Sequence, residues 1–117
     1  MEKRNFTRVE FSECASVKHD GQVFFGGVKN MSLQGLFIKT DREIPLNDPV
    51  EVTVYYSPNS SIYLHANVVR HEENGIGMQI NRMDVPSFVN LREVVAKQCN
   101  DQNLLMRETY KMAACIH

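Results

Sequence analysis

Between residues 8 and 80 the sequence divides into short stretches with the period of a β-strand, and this pattern restricts the fold more than any other feature. In residues 50–56, for example, valines alternate with Glu51, Thr53 and Tyr55. Successive side chains of a strand point to opposite faces, so this alternation predicts a strand with one buried face. The predicted strands are residues 8–18, 22–29, 35–40, 50–56, 62–71 and 76–80.

Six short strands joined mainly by hairpins predict a mainly β fold, a six-stranded antiparallel barrel over residues 9–82. Closing the sheet removes the exposed strand edges that would otherwise invite aggregation. Two features interrupt the pattern. Glu13 stands at an apolar position of the first strand, and the Gly26-Gly27 pair in the second strand predicts a bulge or sharp bend there.

A helical period replaces the strand period over residues 84–116. Pro86 stands in the first turn of a helix, where proline is tolerated. The positions of the apolar stripe with helical spacing are Phe88, Leu91, Val94, Val95, Cys99, Leu104, Leu105, Thr109, Met112 and Ile116. They predict two helices or one long bent helix. We expect the first part to close one end of the barrel. The second is expected to pack on the barrel wall, on a second copy in a homodimer, or on a partner protein.

The composition is that of a single domain spanning residues 1–117, with 43% hydrophobic and 23% charged residues. The formal net charge of −1 argues against a general DNA- or RNA-binding protein, which shows a broad basic face. No apolar run approaches the roughly 20 residues of a membrane span, and no apolar segment follows the charged start as in a signal peptide. We therefore expect a cytoplasmic protein whose three cysteines are reduced and partly buried.

Basic and polar groups are concentrated in two short segments. Arg4 directly follows Lys3, and Arg8 stands four residues after Arg4. All three residues lie in a stretch that we expect to be a flexible arm of residues 1–8. Arginine supplies charge and planar pairs of donors for phosphates and base edges. Residues 30–35 hold an amide, a hydroxyl and a glycine on a predicted turn between two strands. Together the two segments predict a site for an anion that also carries a base.

These two segments resemble the sequence signature of the PilZ domain, a bacterial receptor for the second messenger cyclic di-GMP. Arg4 and Arg8 match its RxxxR motif, and Asn30, Ser32 and Gly35 match its D/N-x-S-x-x-G motif. The two motifs occur in the right order, each beside a predicted strand, which makes the signal fairly specific. The resemblance implies a six-stranded barrel, in agreement with the strand pattern.

The resemblance also implies the ligand, cyclic di-GMP, with no cofactor. The implied ligand-binding residues are Arg4, Arg8, Asn30, Ser32 and Gly35, with Lys3 as a weak additional phosphate contact. The two arginines would grip guanine edges and phosphate, and the amide and the hydroxyl would hydrogen-bond guanine or phosphate. The glycine would permit the turn and a close approach. Binding would order the arm on the barrel and signal to a separate protein partner.

Two alternatives stay open. The chain could be a PilZ-like interaction module that binds no nucleotide and docks on another protein through its C-terminal helix. Separately, Arg70 and His71 at the end of the predicted fifth strand could face the ligand and stack on a base, or form an ordinary surface pair. We do not expect an enzyme, because the four histidines are scattered along the sequence and no serine has a nucleophile-elbow pattern. These histidines are His19, His65, His71 and His117.

Overall fold

The computed structural model describes residues 9–98, 102–113 and 116. Its elements are, in chain order, β1 (Val9–His19), β2 (Gln22–Met31), β3 (Gly35–Lys39), β4 (Pro49–Ser57), β5 (Ser60–Glu72), β6 (Gly75–Met83), α1 (Val85–Gln98) and α2 (Gln102–Lys111). The strands form one closed barrel in the order β1-β2-β3-β6-β5-β4, and every neighbouring pair is antiparallel. The predicted fold class, a six-stranded antiparallel barrel followed by a helical segment, is confirmed.

The alternation of the sequence sets which face of each strand enters the core. The buried cross-strand pairs of β4 and β5 are Val50–Ala66, Val52–Leu64 and Val54–Ile62. A slip of one residue would turn all of these side chains towards solvent, so burial selects a single register. The same register then decides which polar side chains share a row on the outer surface.

The interruption at Glu13 corresponds to a β-bulge in β1. The pairing of β1 with β2 shifts between Glu10 and Glu13, and Glu13 is exposed. Val9 before the shift and Ala15 after it are both buried. Cys14 alternates with the buried Ala15 and is exposed on the outer surface, so the expectation of a partly buried thiol is wrong at this position. An extra residue disrupts the alternation locally and changes which side chains face out.

The prediction of a bulge at Gly26-Gly27 is wrong, because the irregularity of β2 lies nearer its end. The pairing of β2 with β3 shifts between Val28 and Asn30, whereas both glycines pair in regular register with β1. Gly26 is instead required by close packing. A Cβ there would lie 2.6 Å from the side chain of Ile38 and 2.8 Å from the carbonyl oxygen of its neighbour, Lys39.

Helix α1 begins with a side-chain cap and contributes to the barrel core. The carboxylate of Asp84 accepts a hydrogen bond of 2.8 Å from the backbone N–H of Ser87, which satisfies one free donor of the first turn. The hydroxyl of Ser87 in turn accepts a 3.0 Å hydrogen bond from the N–H of Tyr63 on β5. The α1 side chains that join the hydrophobic core are Phe88, Leu91, Val94 and Val95.

The second helical segment packs on the barrel rather than standing free. Met112, just after α2, belongs to the core, and Ile116 packs against it and pairs with Met83 at the end of β6. Of the alternatives for this segment, these contacts favour the barrel wall. Met106 and Tyr110, one helical turn apart on α2, remain exposed. Neither helix in the described part of the chain is long and apolar enough to span a membrane.

Candidate ligand-binding site

The turn between β2 and β3 is held together by Ser32. Its hydroxyl accepts hydrogen bonds of 3.2 Å from the backbone N–H groups of Gln34 and Gly35. The N–H of Ser32 donates to the carbonyl of Gly35 at 2.8 Å, and only 3% of the residue is exposed. A serine that bonds its own turn in this way is a common device for a tight connection. In this structure, therefore, the hydroxyl is directed to the backbone of the turn.

Gly35 allows β3 and β6 to approach closely at the same turn. Gly35 pairs with Gln79, and a Cβ on it would collide with the carbonyl oxygen of Met78. The N–H of Ile80 also donates a hydrogen bond of 2.6 Å to the carbonyl of Gln34. In this structure, Gly35 therefore permits the close approach of the neighbouring strand β6.

Asn30 lies on β2 and not in the predicted turn, because β2 continues to Met31. It pairs with Glu10 on β1 and with Phe37 on β3, and it is half-buried. A residue within a strand is held on both sides by backbone hydrogen bonds, so its side chain leaves the barrel from a rigid position.

Asn30 is the first member of a row of residues on the outer face of the sheet, and this row crosses the barrel wall. The register places Asn30 opposite Phe37, Phe37 opposite Gly77, and Gly77 opposite Arg70 on β5. The row therefore crosses β2, β3, β6 and β5, a width of about 14 Å at about 4.8 Å for each strand step. We call this row the Asn30–Arg70 row.

Arg70 lies flat across Gly77. A Cβ on Gly77 would sit 3.3 Å from Nη2 of Arg70 and 3.4 Å from its Nε and Cβ, so the absence of a side chain makes room for the guanidinium group. Nε of Arg70 also lies 2.5 Å from a carboxylate oxygen of Glu72, and both side chains are partly exposed. The row thus ends in a cation that is held close to the sheet surface.

Phe37 forms the apolar centre of the row and carries a second cation. It is only 5% exposed, although it does not belong to the barrel core. The ammonium group of Lys29, the extra residue at the β2 irregularity, lies 5.8 Å from the centre of its ring, within the range of a cation–π interaction. Lys29 and Arg70 therefore place positive charge on both sides of Phe37.

His71 does not join this row, although the sequence offered it together with Arg70. Its Nε2 hydrogen-bonds the carbonyl of Ile44 in the loop before β4. The irregularity in the β5–β6 pairing between Val68 and Arg70 changes the face of the residues around it. Arg70 thus shares the row with Asn30, whereas His71 is engaged with a loop.

The predicted arm residues Lys3, Arg4 and Arg8 lie outside the described residues. The start of β1 nevertheless shows where the arm joins the barrel. Val9 pairs with Met31, the last residue of β2, beside the Ser32 turn. The arm is therefore attached next to Asn30, at the β1 side of the row.

A second row shares β5 and β6 with the Asn30–Arg70 row but crosses them nearer their other ends. Lys18, Glu51, His65 and Arg82 are paired in register across β1, β4, β5 and β6. The hydroxyl of Tyr63 donates a hydrogen bond to Glu51, which lowers the pKa of Glu51 and raises that of Tyr63. The ionised carboxylate of Glu51 stands between Lys18 and His65 in this row.

Sequence reasoning missed Lys29, Phe37 and Gly77 as members of the site. None belongs to either motif, and each matters only through the strands that stand beside it. Counting the pairs outward from the short β2–β3 connection would have placed Phe37 opposite Asn30, because the irregularity at Lys29 lies beyond this pair. In the described part of the chain, no cluster of His, Cys, Asp and Glu is arranged to hold a metal ion.

Comparison with known families identifies the class. A profile of the PilZ domain family matches residues 2–97, and the chain therefore belongs to this family. The match includes both motifs and the whole barrel. No curated protein sequence matches the chain.

Two solved structures with a similar fold are PilZ domains. The PilZ domain of YcgR from Escherichia coli, determined with c-di-GMP, is 12% identical over 97% of this chain and 98% of that domain, with a TM-score of 0.66. The PilZ domain of CeSA from a cellulose synthesizing bacterium is 12% identical over 79% of this chain and 97% of its own, with a TM-score of 0.63.

The inhibitor of motility MotI/DgrA of Bacillus subtilis has a TM-score of 0.71 at 9% identity. It matches over 84% of this chain, which spans about half of the MotI chain (52%). At these identities the likeness to solved structures concerns the fold.

Proposed function

We propose that this chain binds cyclic di-GMP on the wall formed by β2, β3, β6 and β5, and that the ligand draws the basic arm of residues 1–8 onto this wall. The single observation that supports the location best is the Asn30–Arg70 row. It brings a residue of the second motif into line with a cation, on the wall beside which the arm enters the barrel. The YcgR neighbour, solved with c-di-GMP, supports the choice of ligand.

The groups of the row match the chemistry of a cyclic guanine dinucleotide. A guanidinium group such as that of Arg70 can give two parallel hydrogen bonds to the O6 and N7 atoms of guanine, or a charge-assisted bond to phosphate. The amide of Asn30 has both donors and an acceptor for a base edge or a phosphate. Lys29 adds charge beside Phe37. A ligand phosphate would compete with Glu72 for Arg70.

The arm is long enough to supply the remaining contacts. Arg8 directly precedes Val9, and Arg4 precedes it by five residues. Five residues extend at most about 17 Å, which is close to the width of the row. Both arginines can therefore reach a ligand bound on the row without any change in the barrel.

The charges of the arm and the wall would let the ligand switch the arm from a free to an ordered state. Lys3, Arg4 and Arg8 carry the same sign of charge as Lys29, and Arg70 is already paired with Glu72, so in the absence of an anion Lys29 repels the arm and Arg70 does not attract it. A ligand with two phosphates placed between the arm and the wall reverses the sign of the interaction and favours an ordered arm. The ordered arm then offers a separate protein a surface that the free chain lacks.

The alternative function is a protein interaction module that does not bind the nucleotide. Exposed Met106 and Tyr110 on α2 support it, since an apolar pair one turn apart is a usual anchor of helix-mediated docking. Unfolding experiments distinguish the two functions, because only the first requires cyclic di-GMP to raise the stability of the folded chain.

Thermal unfolding with and without cyclic di-GMP tests the proposal. At a ligand concentration of about 100 times its dissociation constant, we expect the folded state to gain about 2.7 kcal/mol. Arg70→Ala should lower this gain by about 1.4 kcal/mol at the same concentration, which corresponds to a tenfold weaker affinity. Arg82→Ala, in the second row near the other end of β6, is the matched control and should keep the full gain. A folded wild-type protein that shows no gain would favour the interaction module.

A further inference from the structure

A groove of about 650 Å³ lies on the outer wall beside Asn30 and next to the row. The residues that line it are Glu13, Cys14, Phe25, Gly26, Gly27, Val28, Lys29, Asn30 and Lys39. It runs along the outer surface of β2 between β1 and β3, because Gly27 pairs with Cys14 on one side and with Lys39 on the other. Asn30 and Lys29 belong both to this groove and to the site described above.

The floor of the groove is bare backbone. A Cβ on Gly27 would meet no atom within 4 Å, so this glycine leaves open space on the outer surface. Gly27 has no positive φ angle, and a side chain there would be tolerated by the fold. Packing of the barrel thus gives no reason for a glycine at this position, in contrast to Gly26.

One end of the groove carries an aromatic ring that the barrel does not bury. Phe25 is 68% exposed on the outer surface, whereas its neighbour Phe24 belongs to the core. The cations Lys29 and Lys39 line the groove on the β3 side and are both exposed. An open aromatic face next to two ammonium groups is the combination that binds single nucleotides through stacking and phosphate contacts.

We propose that this groove receives one of the two bases of the bound dinucleotide, stacked on Phe25, with a phosphate next to Lys29 and Lys39. The inference rests on the proposed function and extends it, because the ligand would then bridge the groove and the Asn30–Arg70 row through Asn30. Stacking on phenylalanine is tolerant of base identity. Selection of guanine would therefore come from the hydrogen-bonding groups of the row and the arm.

Titration calorimetry with cyclic di-GMP on the full chain tests the groove with two independent variants. Phe25→Ala removes the stacking surface, and Gly27→Val fills the floor with a residue that strands favour. Each should weaken the affinity at least about fivefold, the lower end of the effect of losing one stacked base. Val23→Ala, which shortens an exposed side chain on the same strand outside the groove, is the matched control and should bind like the wild type.

The outcomes separate the groove from the proposed function. If Asn30→Ala weakens binding while Phe25→Ala and Gly27→Val match the wild type, the ligand binds the row and the groove proposal is overturned. If folded wild-type protein takes up no cyclic di-GMP, both proposals are overturned together. Loss of affinity in both groove variants with an unchanged Val23→Ala supports the groove as the second base site.

Discussion

Arg8→Ala is expected to weaken cyclic di-GMP binding by about ten- to hundredfold, the largest effect of any single substitution proposed for the ligand. One bidentate contact between arginine and guanine accounts for about 1–3 kcal/mol of discrimination, and Arg8 stands next to Val9, where the arm joins the wall of Asn30. Titration calorimetry on the wild type and the variant measures the change. Equal affinities would remove Arg8 from the site.

The substitution Arg8→Lys supplies the control for charge alone. Lysine keeps the positive charge but cannot form the planar pair of hydrogen bonds. If Arg8 holds a guanine edge, Arg8→Lys should lose most of the affinity that Arg8→Ala loses. If Arg8→Lys binds cyclic di-GMP with the wild-type affinity, Arg8 acts on phosphate through its charge alone. Arg8→Ala should leave the free energy of unfolding within about 0.5 kcal/mol of the wild type, as for most surface substitutions.

Gly35→Ala should lower the free energy of unfolding by about 1–3 kcal/mol, the usual penalty for forcing extra atoms into a packed region. The new Cβ would collide with the backbone carbonyl of Met78, which cannot move without breaking the pairing of β3 and β6. Urea unfolding of the variant and the wild type measures the difference.

Gly27→Ala is the matched control, since Gly27 is also a strand glycine but has open space around it. This variant should be as stable as the wild type or gain up to about 1 kcal/mol, because alanine loses less conformational freedom on folding than glycine. Equal losses of stability in the two alanine variants would contradict the packing role assigned to Gly35.

The expected results assign different physical roles to the residues of the second motif. Ser32 and Gly35 shape the turn and its contact with β6, whereas Asn30 lies on a strand and belongs to the row. A variant of Ser32 or Gly35 that fails to bind must therefore be shown to be folded before the loss is assigned to the ligand. Asn30 gives a cleaner test of binding, because its substitution leaves the turn intact.

The barrel was predictable because burial of one strand face is a local property of the sequence. The regular alternation in β4 and β5 predicted both strands, and their buried pairs confirm the register that the pattern requires. The bulges were less predictable. Glycine in a strand is compatible with a bulge or with close packing, and at Gly26 the contact with Ile38 decides for packing. That contact comes from another strand and leaves no local signal.

The site was predictable only in part, for a related reason. Asn30 stands in a motif, but its partners in the row are set by the pairing of four strands. Alternation continued from buried Val68 would put Arg70 on the inner face and His71 on the outer face, and the irregularity between Val68 and Arg70 reverses this assignment. The roles of Arg4 and Arg8 remain predictions, since both residues lie outside the described part of the chain.

Backbone amide NMR of the full chain, titrated with cyclic di-GMP, tests most directly the claim that the ligand binds on the wall of the Asn30–Arg70 row. We expect saturable shifts that are largest at Asn30, Phe37, Gly77 and Arg70. The amide of His65, in the second row near the other end of β5, should be nearly unchanged. Shifts concentrated around His65, or an unchanged spectrum of the folded protein at millimolar ligand, would contradict the account.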